Sequence, residues 1–453
     1  MNSMRWLGAI VAIGVMATAV RAQEPCFTEP VTYAAGDALD CIIAADLDDD
    51  GHLDLVVGND HFGLVSVLKN NGDGAFPKAQ DYSVPVSSYA ICAADVDGDG
   101  DLDLAIADFF VAVLKNNGNG AFAPAVAYHS AAYTSDIVAA DFDGDGDQDL
   151  ATANRKLSNL SVLKNSGDGT YAAAESYTYS ADSVCIALCA ADFDGDTDYD
   201  LAVVNESGSN VSILENDGSG TFVVANTFAV GRAPSSIEAV DVDGDGDVDL
   251  AVSNFVSNSV TILRNHGDGT FTDRMDYAVG QQPYSAHAAD LDGDGDQDLV
   301  VANSLSYDLT VLANRGDGTF NPALFYPLTF ESSPLSDCAA DLDGDGKIDL
   351  AVADHGEIGA QLLSVLTNCT VPCGCACKYD PECDGVVSDV VDVSHTLDVA
   401  FRGVIAVQDP ACWAERTDVD NSGATDLIDV IKVVNVAFRG MPAASQYVDP
   451  CAP

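Results

Sequence analysis

Basic residues are scarce in this sequence. Its 453 residues include 18 lysines and arginines against 72 aspartates and glutamates, which gives a formal net charge of -54. Nucleic acids and anionic membranes are repelled by such a surface, and seven bound divalent ions would still leave it strongly negative, so neither is expected as a partner. Hydrophobic residues nevertheless make up 47% of the chain, a proportion typical of folded proteins.

Long hydrophobic runs are missing after the N-terminus. Residues 1–22 carry Arg5, an apolar run from Trp6 to Met16 and small residues up to Ala22, which predicts a cleavable signal peptide and a secreted, extracellular protein. No later run reaches the roughly 18 apolar residues of a membrane span, so no membrane insertion is predicted. In an exported chain, the 13 cysteines favour disulfides, and their odd number leaves at least one unpaired.

Motifs of common catalytic sites are also missing. The seven histidines show no metal-ligand spacing and no His-Glu-x-x-His pair, and there is no Gly-x-Ser-x-Gly elbow or phosphate-cradling loop. One irregular polar stretch, Asn154-Arg155-Lys156, is interpreted as solvated surface because basic residues are mostly exposed. The sequence therefore predicts that the protein is not an enzyme.

The chain instead contains seven near-copies of Asp-x-Asp-Gly-Asp-Gly-x-x-Asp-Leu. They recur about every 50 residues, a period typical of blade-sized structural repeats. The copies begin at Asp46, Asp95, Asp141, Asp192, Asp241, Asp290 and Asp341.

Each copy places carboxylates at positions 1, 3, 5 and 9, and a backbone carbonyl is available at position 7. Clustered oxygens of this kind suit Ca²⁺, which takes 6 to 8 oxygen ligands in flexible geometry. Tight turns alone would also explain aspartate and glycine, but they would not require an acid at position 9. Thr197 replaces the glycine of position 6 in the fourth copy, which predicts the weakest site there.

The predicted calcium ligands at positions 1, 3, 5, 7 and 9 are Asp46, Asp48, Asp50, His52 and Asp54; Asp95, Asp97, Asp99, Asp101 and Asp103; Asp141, Asp143, Asp145, Asp147 and Asp149; Asp192, Asp194, Asp196, Asp198 and Asp200; Asp241, Asp243, Asp245, Asp247 and Asp249; Asp290, Asp292, Asp294, Asp296 and Asp298; and Asp341, Asp343, Asp345, Lys347 and Asp349.

The residues around these loops predict β-strands. Position 12, an acid in helical EF-hand loops, is Val301 or its equivalent here, within a β-branched run. Each repeat continues with Ser-Val-Leu-x-Asn-x-Gly-Asp-Gly-Thr-Phe, whose centre predicts a hairpin with a purely structural role. Alanine pairs such as Ala93-Ala94 suit strands crowded near a common axis. An all-β, seven-bladed β-propeller is the favoured architecture, and an open β-solenoid is the alternative.

The two ends of the repeat region complement each other. The seventh repeat stops at Asn368-Cys369 without the usual Phe and outer strand, which residues 27–36 could supply. We therefore expect the N-terminal strand to complete the last blade. In that register Cys26 lies beside Cys369, which predicts a disulfide that closes the ring.

The combined motifs resemble the FG-GAP or VCBS repeats of integrin-α-like propellers from Phe27 to Cys369. The resemblance implies calcium bound by the aspartate loops at the rim of a propeller. Members of that family include adhesion proteins, fungal lectins and some carbohydrate-active enzymes. The resemblance thus implies a fold and a metal, but no single activity.

The sequence changes character after Cys369. Residues 418–429 form a calcium-type loop with an acid at position 12, followed by an apolar pattern typical of a helix. An earlier half-copy ends in the same Ala-Phe-Arg-Gly, and the duplication resembles a dockerin, which implies a cohesin-like or other surface partner. Its predicted ligands are Asp418, Asp420, Ser422, Ala424, Asp426 and Asp429, with Asp380, Asp384, Asp389 and Asp392 in the half-copy.

The cysteines that precede this module, Cys373, Cys375 and Cys377, could hold zinc, but their short spacing and the exported setting favour disulfides. The predicted layout is a signal peptide (1–22), a propeller (23–369), a Cys-rich linker (370–379) and a small α-helical dockerin-like module with paired calcium loops (380–453).

The function that this layout favours is adhesion or ligand binding. The protein would be a secreted, calcium-binding module for an extracellular protein or glycan, attached to a surface or assembly by its tail. A polysaccharide-degrading enzyme of the lyase type and a structural component of a surface layer or fibre are the alternatives.

Overall fold

The computed structural model describes residues 25–368, apart from 37–38, 60–62, 78, 131–132, 158, 180–183, 329–332 and 356–362. These residues form 28 strands, β1 to β28 in chain order, arranged in seven four-stranded antiparallel sheets. The sheets are the blades of a closed propeller, and the seven-bladed prediction is confirmed. The predicted signal peptide, Cys369, the linker and the dockerin-like module lie outside the described residues.

Each blade has the same four strand positions. The innermost strands, which contact one another around the axis, are β2 (Leu39–Ala45), β6 (Ala90–Ala94), β10 (Thr134–Ala140), β14 (Cys185–Ala191), β18 (Pro234–Val240), β22 (Pro283–Ala289) and β26 (Pro334–Ala340). The second strands are β3 (Asp54–Asn59), β7 (Asp103–Ala107), β11 (Asp149–Asn154), β15 (Asp200–Asn205), β19 (Asp249–Asn254), β23 (Asp298–Asn303) and β27 (Asp349–Asp354).

The third strands are β4 (Leu64–Leu68), β8 (Val111–Leu114), β12 (Asn159–Leu163), β16 (Asn210–Asn216), β20 (Ser259–Asn265), β24 (Asp308–Leu312) and β28 (Leu363–Leu366). The outermost strands are β5 (Ala79–Ser83), β9 (Val126–Tyr128), β13 (Glu175–Thr178), β17 (Phe222–Ala229), β21 (Phe271–Ala278), β25 (Leu324–Pro327) and, in blade 7, β1 (Val31–Tyr33).

The core lies between neighbouring blades. Second strands are buried along their whole length, as their continuous apolar runs predict, and pack with the first and third strands of the next blade. Aromatic pairs add to this contact: Tyr277 of blade 5, for example, packs edge to face on Phe320 of blade 6, with ring centroids 5.1 Å apart. Each blade thus buries its apolar face only because it has neighbours.

The ring closes as the sequence predicts. Strand β1 pairs with β28, and Phe27 forms a bridge with Asn368. Phe27 also packs on Tyr326 of blade 6 at 5.2 Å, so it occupies the place of the Phe that repeat seven lacks. The last blade is completed by the N-terminal strand, so the ring is closed and the open solenoid is excluded.

The expected disulfides do not form among the described strand cysteines. Cys41, Cys92, Cys185, Cys189 and Cys338 are thiols, separated from one another in different parts of the core. Burial raises the pKa of Cys92 and Cys185 to about 12, so these thiols stay protonated and pack as small apolar groups. The predicted Cys26–Cys369 bond cannot be placed, since Cys369 lies outside the described residues.

Within the part of the chain that the structure describes, no helix is long and apolar enough to cross a membrane.

Candidate metal loops and binding face

The seven aspartate loops connect the first strand of each blade to the second. First-to-second and third-to-fourth connections of an antiparallel sheet lie at the same end, so loops and hairpins share one face of the propeller. We call this the acidic face. The second-to-third connections and the links between blades form the opposite face.

Each loop folds around the carboxylate of its first aspartate. In the sixth loop, the N–H groups of Gly293 and Gly295 donate to the two oxygens of Asp290 at 2.8 and 3.0 Å, and the N–H of Asp296 donates to Asp294 at 3.0 Å. The same three bonds recur in the fifth loop. Hydrogen bonds within the loop therefore hold the carboxylates before any cation binds.

Carboxylate oxygens of three predicted ligands lie within 4.8 Å of one another in each of the first five loops. The groups are Asp46, Asp48 and Asp50; Asp95, Asp97 and Asp99; Asp141, Asp143 and Asp149; Asp192, Asp194 and Asp200; and Asp241, Asp243 and Asp245. The structure thus brings together the side chains that the sequence predicts, in clusters able to hold a metal ion.

Position 9 is the most buried part of each loop. Asp298 is fully buried, and its two oxygens accept the N–H groups of Asn314 at 2.7 Å and Leu291 at 3.0 Å. Burial raises the pKa of Asp298 to about 7, although these two hydrogen bonds lower it. The charged form of this carboxylate is therefore unfavourable until a positive charge comes close.

The hydrogen bonding of the aspartate at position 3 shows whether a cation fits the loop. Within the described residues, one buried oxygen of this aspartate lacks a hydrogen-bond partner in five loops; these residues are Asp48, Asp97, Asp143, Asp243 and Asp292. A buried carboxylate oxygen without a partner is costly, and a hard cation at the loop centre would satisfy it. The donor set, all oxygen and mostly carboxylate, fits Ca²⁺.

The hairpin asparagines join each loop to the neighbouring blade. The N–H of Asn265 donates to Asp249 at 2.7 Å, while its side-chain Nδ2 donates to the carbonyls of Val248 at 3.1 Å and Phe193, in blade 4, at 2.8 Å. The equivalent asparagines are Asn70, Asn116, Asn165, Asn216, Asn314 and Asn368. The structural role predicted for the hairpin is confirmed, and it couples the loops around the ring.

Basic residues that the sequence reasoning missed bridge four of the loops to the next blade. Lys69 lies 2.7 Å from Asp48 of its own loop and donates to the carbonyl of Asn119 in blade 2 at 2.5 Å. Lys115, Lys164 and Arg264 make the same pair of contacts. The sequence contains a signal for this contact, because the chain has few basic residues and these four all directly precede the hairpin asparagine.

Two loops depart from the common geometry. Thr197 in the fourth loop has φ +83°, and Asp49 in the first has φ +60° where the other loops have glycine. The left-handed region is strained for a β-branched residue, which agrees with the predicted weakness of the fourth loop. The ligands predicted between Asp380 and Asp429 lie outside the described residues.

The face opposite the acidic loops carries exposed aromatic and aliphatic side chains; we call it the aromatic face. Tyr89 is 47% exposed, Phe109 44%, Tyr284 41% and Tyr307 41%. Leu157, Val256 and Leu305 on the same connections are also exposed. These exposed side chains all lie at this end of the blades.

The stretch Asn154-Arg155-Lys156 lies on this face. Asn154 is buried and donates to Ser161 at 2.9 Å, a structural role. Lys156 is exposed and lies over the ring of Tyr133, which itself packs on Phe109 with centroids 4.3 Å apart. Interpreting this stretch as solvated surface is thus correct for the two basic residues, but Lys156 forms part of an aromatic cluster.

Charged residues gather around the mouth of the axial channel on this face. The pKa of Tyr284 is raised by burial and by the negative charges of Asp40 and Glu206, and lowered by Arg155. Tyr284 belongs to blade 6 and the three charged residues to blades 1, 4 and 3, so charges from three other blades act on Tyr284. The aromatic face therefore offers polar groups at its centre and apolar groups around them.

Six stretches of the chain match the model of the FG-GAP-like repeat, at residues 46–106, 108–152, 141–203, 192–252, 241–301 and 290–352. Together they span more than half of the sequence. No curated protein sequence matches the chain.

Several solved structures are similar. The crystal structure of BBS1N in complex with ARL6DN, soaked with lead, has a TM-score of 0.55 and 12% identity, covering 75% of this chain and 96% of that one. The periplasmic gluconolactonase of Pseudomonas aeruginosa has a TM-score of 0.50 and 16% identity over 67% and 96%. An Agrocybe aegerita lectin that recognises non-reducing terminal N-acetylglucosamine has a TM-score of 0.46 and 21% identity over 66% and 80%. At these identities the likeness shows the fold alone.

Proposed function

The chain belongs to the FG-GAP-like repeat family, and from this we propose that it is a secreted, calcium-binding β-propeller that binds an extracellular protein or glycan without catalysing a reaction. The observation that carries the proposal is the aromatic face. It combines exposed tyrosines and phenylalanines with Arg155 and Lys156, and tyrosine and arginine are frequent hot-spot residues at binding interfaces. Aromatic rings also suit the apolar faces of sugars.

Calcium would act on this face indirectly. The aspartate loops lie at the other end of the blades, so the bound ions would not touch a ligand on the aromatic face. They would offset the clustered negative charge and keep neighbouring blades in register, because each loop is hydrogen-bonded to the next blade. Calcium is therefore expected to affect ligand binding only by stabilising the fold.

Residues 1–22 and the region after residue 380 lie outside the described residues. Residues 1–22 would direct export, and the dockerin-like region after residue 380 would attach the propeller to a cell surface or an assembly. The acidic surface is consistent with an extracellular partner that is not a polyanion.

The test is a screen of the full chain, in saturating calcium, against arrays of glycans and extracellular matrix proteins. A hit is then measured by titration with Tyr307→Ala and Tyr284→Ala. Each substitution removes an exposed ring from the aromatic face, and we expect each to weaken binding by about tenfold or more, as for an interface hot spot.

Phe325→Ala is the matched control, since Phe325 is 54% exposed but lies on the outer strand of blade 6. Its affinity should equal that of the unmodified protein. Absence of any ligand from both arrays, or equal losses for Phe325→Ala and the two tyrosine variants, would refute binding through the aromatic face.

A further inference from the structure

A cavity of about 680 Å³ lies in the axial channel, on the side of blades 2 to 5. Its inner wall includes Val138, Cys189 and Glu238, and it extends to the acidic face beside Asp95 and Asp147. Cavities of roughly 300 to 1,000 Å³ accommodate small organic molecules. Two predicted calcium ligands, Asp95 and Asp147, stand at its outer end, whereas Glu238 belongs to the inner strand β18.

The seven repeats can be compared at one position of the channel wall, three residues before each aspartate loop. That position is occupied by Ile43, Cys92, Val138, Cys189, Glu238, His287 and Cys338. Five blades thus have an aliphatic or thiol group, which is sufficient for the fold. Glu238 and His287, in adjacent blades, are the two exceptions, and burial raises the pKa of Glu238. Charged groups placed where the fold does not need them suggest a ligand.

His287 is held in place by a second departure from the repeat. One residue earlier, blades 1 to 5 have Ile or Leu, whereas blade 7 has Asp337, which is fully buried. Its Oδ2 lies 3.6 Å from Nδ1 of His287, and its Oδ1 accepts the hydroxyl of Ser285. Neither Nδ1 of His287 nor Oδ2 of Asp337 has a hydrogen-bond partner within the described residues. A buried acid in place of an aliphatic core residue needs a positive charge nearby, and His287 lies within ion-pair distance of it without forming a hydrogen bond.

The wall of this cavity has three carboxylates, Asp95, Asp147 and Glu238, and no basic residue among its described residues. Further charged groups lie behind Glu238. Asp136, Glu238 and Asp337 all act on His287. Asp136 accepts the N–H groups of Ile137 and Leu188, each at 2.9 Å, and so also joins blade 3 to blade 4. Burial lowers the pKa of His287, but the neighbouring carboxylates outweigh this and raise it to about 9. The charge of His287 is thus matched by its own carboxylate neighbours, and it does not line the cavity. The cavity wall is acidic, in a protein of net charge -54, so the cavity attracts cations.

The wall next to Glu238 includes small apolar side chains. Ala139, Ala190 and Ala239 line the cavity beside Glu238, and they offer contact to a short hydrocarbon chain. The volume is much larger than a single metal ion requires. We propose that the channel binds a small organic cation, a guanidinium or ammonium group on a short alkyl chain, with the Glu238 carboxylate paired to the charge.

The test is calorimetric titration of the full chain with n-butylguanidinium, in saturating calcium so that the aspartate loops are occupied, and at about 0.15 M salt to screen the surface. n-Butylurea, which has the same shape without the charge, is titrated in parallel. We expect one butylguanidinium per chain and binding of butylurea weaker by about tenfold or more.

Three variants locate the site. Glu238→Gln should weaken butylguanidinium binding by about tenfold or more. Glu175→Gln removes the same charge from the exposed outer strand β13 and should leave affinity unchanged. Val138→Phe keeps every charge but fills the cavity, and it should also abolish binding. Circular dichroism melting curves are recorded for each variant to show that it is folded.

Equal affinities for butylguanidinium and butylurea would overturn the proposal, as would equal losses in Glu238→Gln and Glu175→Gln. Displacement of butylguanidinium by Zn²⁺ or Mg²⁺, with tighter binding of that ion at Glu238, would show an inorganic cation site and also overturn it. If Glu238→Gln does not fold, unchanged butylguanidinium binding by a folded Val138→Phe variant would overturn the proposal.

Discussion

At the scale of single residues, loop geometry depends on backbone conformations that glycine adopts most easily. Position 6 has φ +94° at Gly246 and +95° at Gly295, but +83° at Thr197. The N–H of Thr197 still donates to Asp192 at 3.0 Å, so the fourth loop keeps its shape despite the strain. A β-branched residue in this region costs about 1 to 3 kcal/mol.

We predict that Thr197→Gly stabilises the calcium-loaded protein by about 1 kcal/mol, since relief of strain exceeds the entropy that glycine loses on folding. Urea unfolding at fixed calcium measures the change. Gly246→Thr in the fifth loop is the reverse experiment, because an added Cβ there meets nothing within 4 Å and only the backbone is strained. Stabilisation by Gly246→Thr would contradict this account.

At the scale of secondary-structure elements, the hairpins and the N-terminal strand connect the blades. The side chain of Asn70 donates to Leu53 of its own blade at 3.0 Å and to Leu342 of blade 7 at 2.6 Å. Neighbouring metal loops therefore depend on one another's position. Blades connected in this way are expected to unfold together rather than one at a time.

Asn70→Ala leaves two carbonyl groups without their donor. We expect the free energy of unfolding to fall by about 2 to 4 kcal/mol, given the cost of unsatisfied buried polar groups. Urea unfolding followed by circular dichroism gives this value. Asn71→Ala, at the exposed neighbouring position, should have almost no effect, and similar losses in the two variants would show that the hairpin contact is unimportant.

The N-terminal strand β1 completes blade 7 by pairing with β28. Phe27 is buried and packs on Tyr326, so Phe27→Ala should destabilise the protein by about 3 kcal/mol and speed hydrogen exchange in β28. Val31, on the same strand, is 53% exposed, and Val31→Ala serves as the control. Unchanged exchange in β28 of the Phe27→Ala protein would exclude a closing role for this segment.

At the scale of the whole molecule, the seven position-9 aspartates act together. Burial raises the pKa of Asp54, Asp103, Asp149 and Asp249 to about 6 and that of Asp200, Asp298 and Asp349 to about 7. In the unfolded chain the pKa of each is about 3.9. Between these values the metal-free folded state binds more protons than the unfolded state.

Metal-free protein should therefore be most stable below about pH 4 and lose stability steadily as the pH rises to about 7. Calcium should largely remove this loss, because it supplies the positive charge that the carboxylates need when ionised. Urea unfolding between pH 4 and 8, in metal-depleted buffer and in calcium, measures both. Repeating the series at high salt separates buried carboxylates from surface repulsion, which salt screens.

If the stability of metal-free protein rose between pH 5 and 7, the buried carboxylates would not control it. A pH profile that calcium leaves unchanged would equally argue against metal binding by the loops.

Much of this protein could be predicted from its sequence. The regular spacing of the aspartate loops, the strand-like position 12 and the complementary chain ends near Phe27 and Asn368 sufficed for a closed propeller with seven acidic clusters. These features are local or repeat identically, so each copy supports the same conclusion. The prediction that the cysteines form disulfides is wrong for the strand cysteines. Composition does not reveal that Cys185 and Cys338 lie in different parts of the core.

Only the tertiary structure decided which non-repeating residues meet. Lys69 reaches the hairpin of the next blade, and Tyr284 and Arg155 act on each other across the axis, although long stretches of chain separate them. Glu238 and His287 occupy the same position of two repeats and Asp337 the preceding position of a third, and the three become neighbours only when the inner strands pack around the channel. Repetition determines the ring, whereas closure of the ring determines the contacts between its irregular residues.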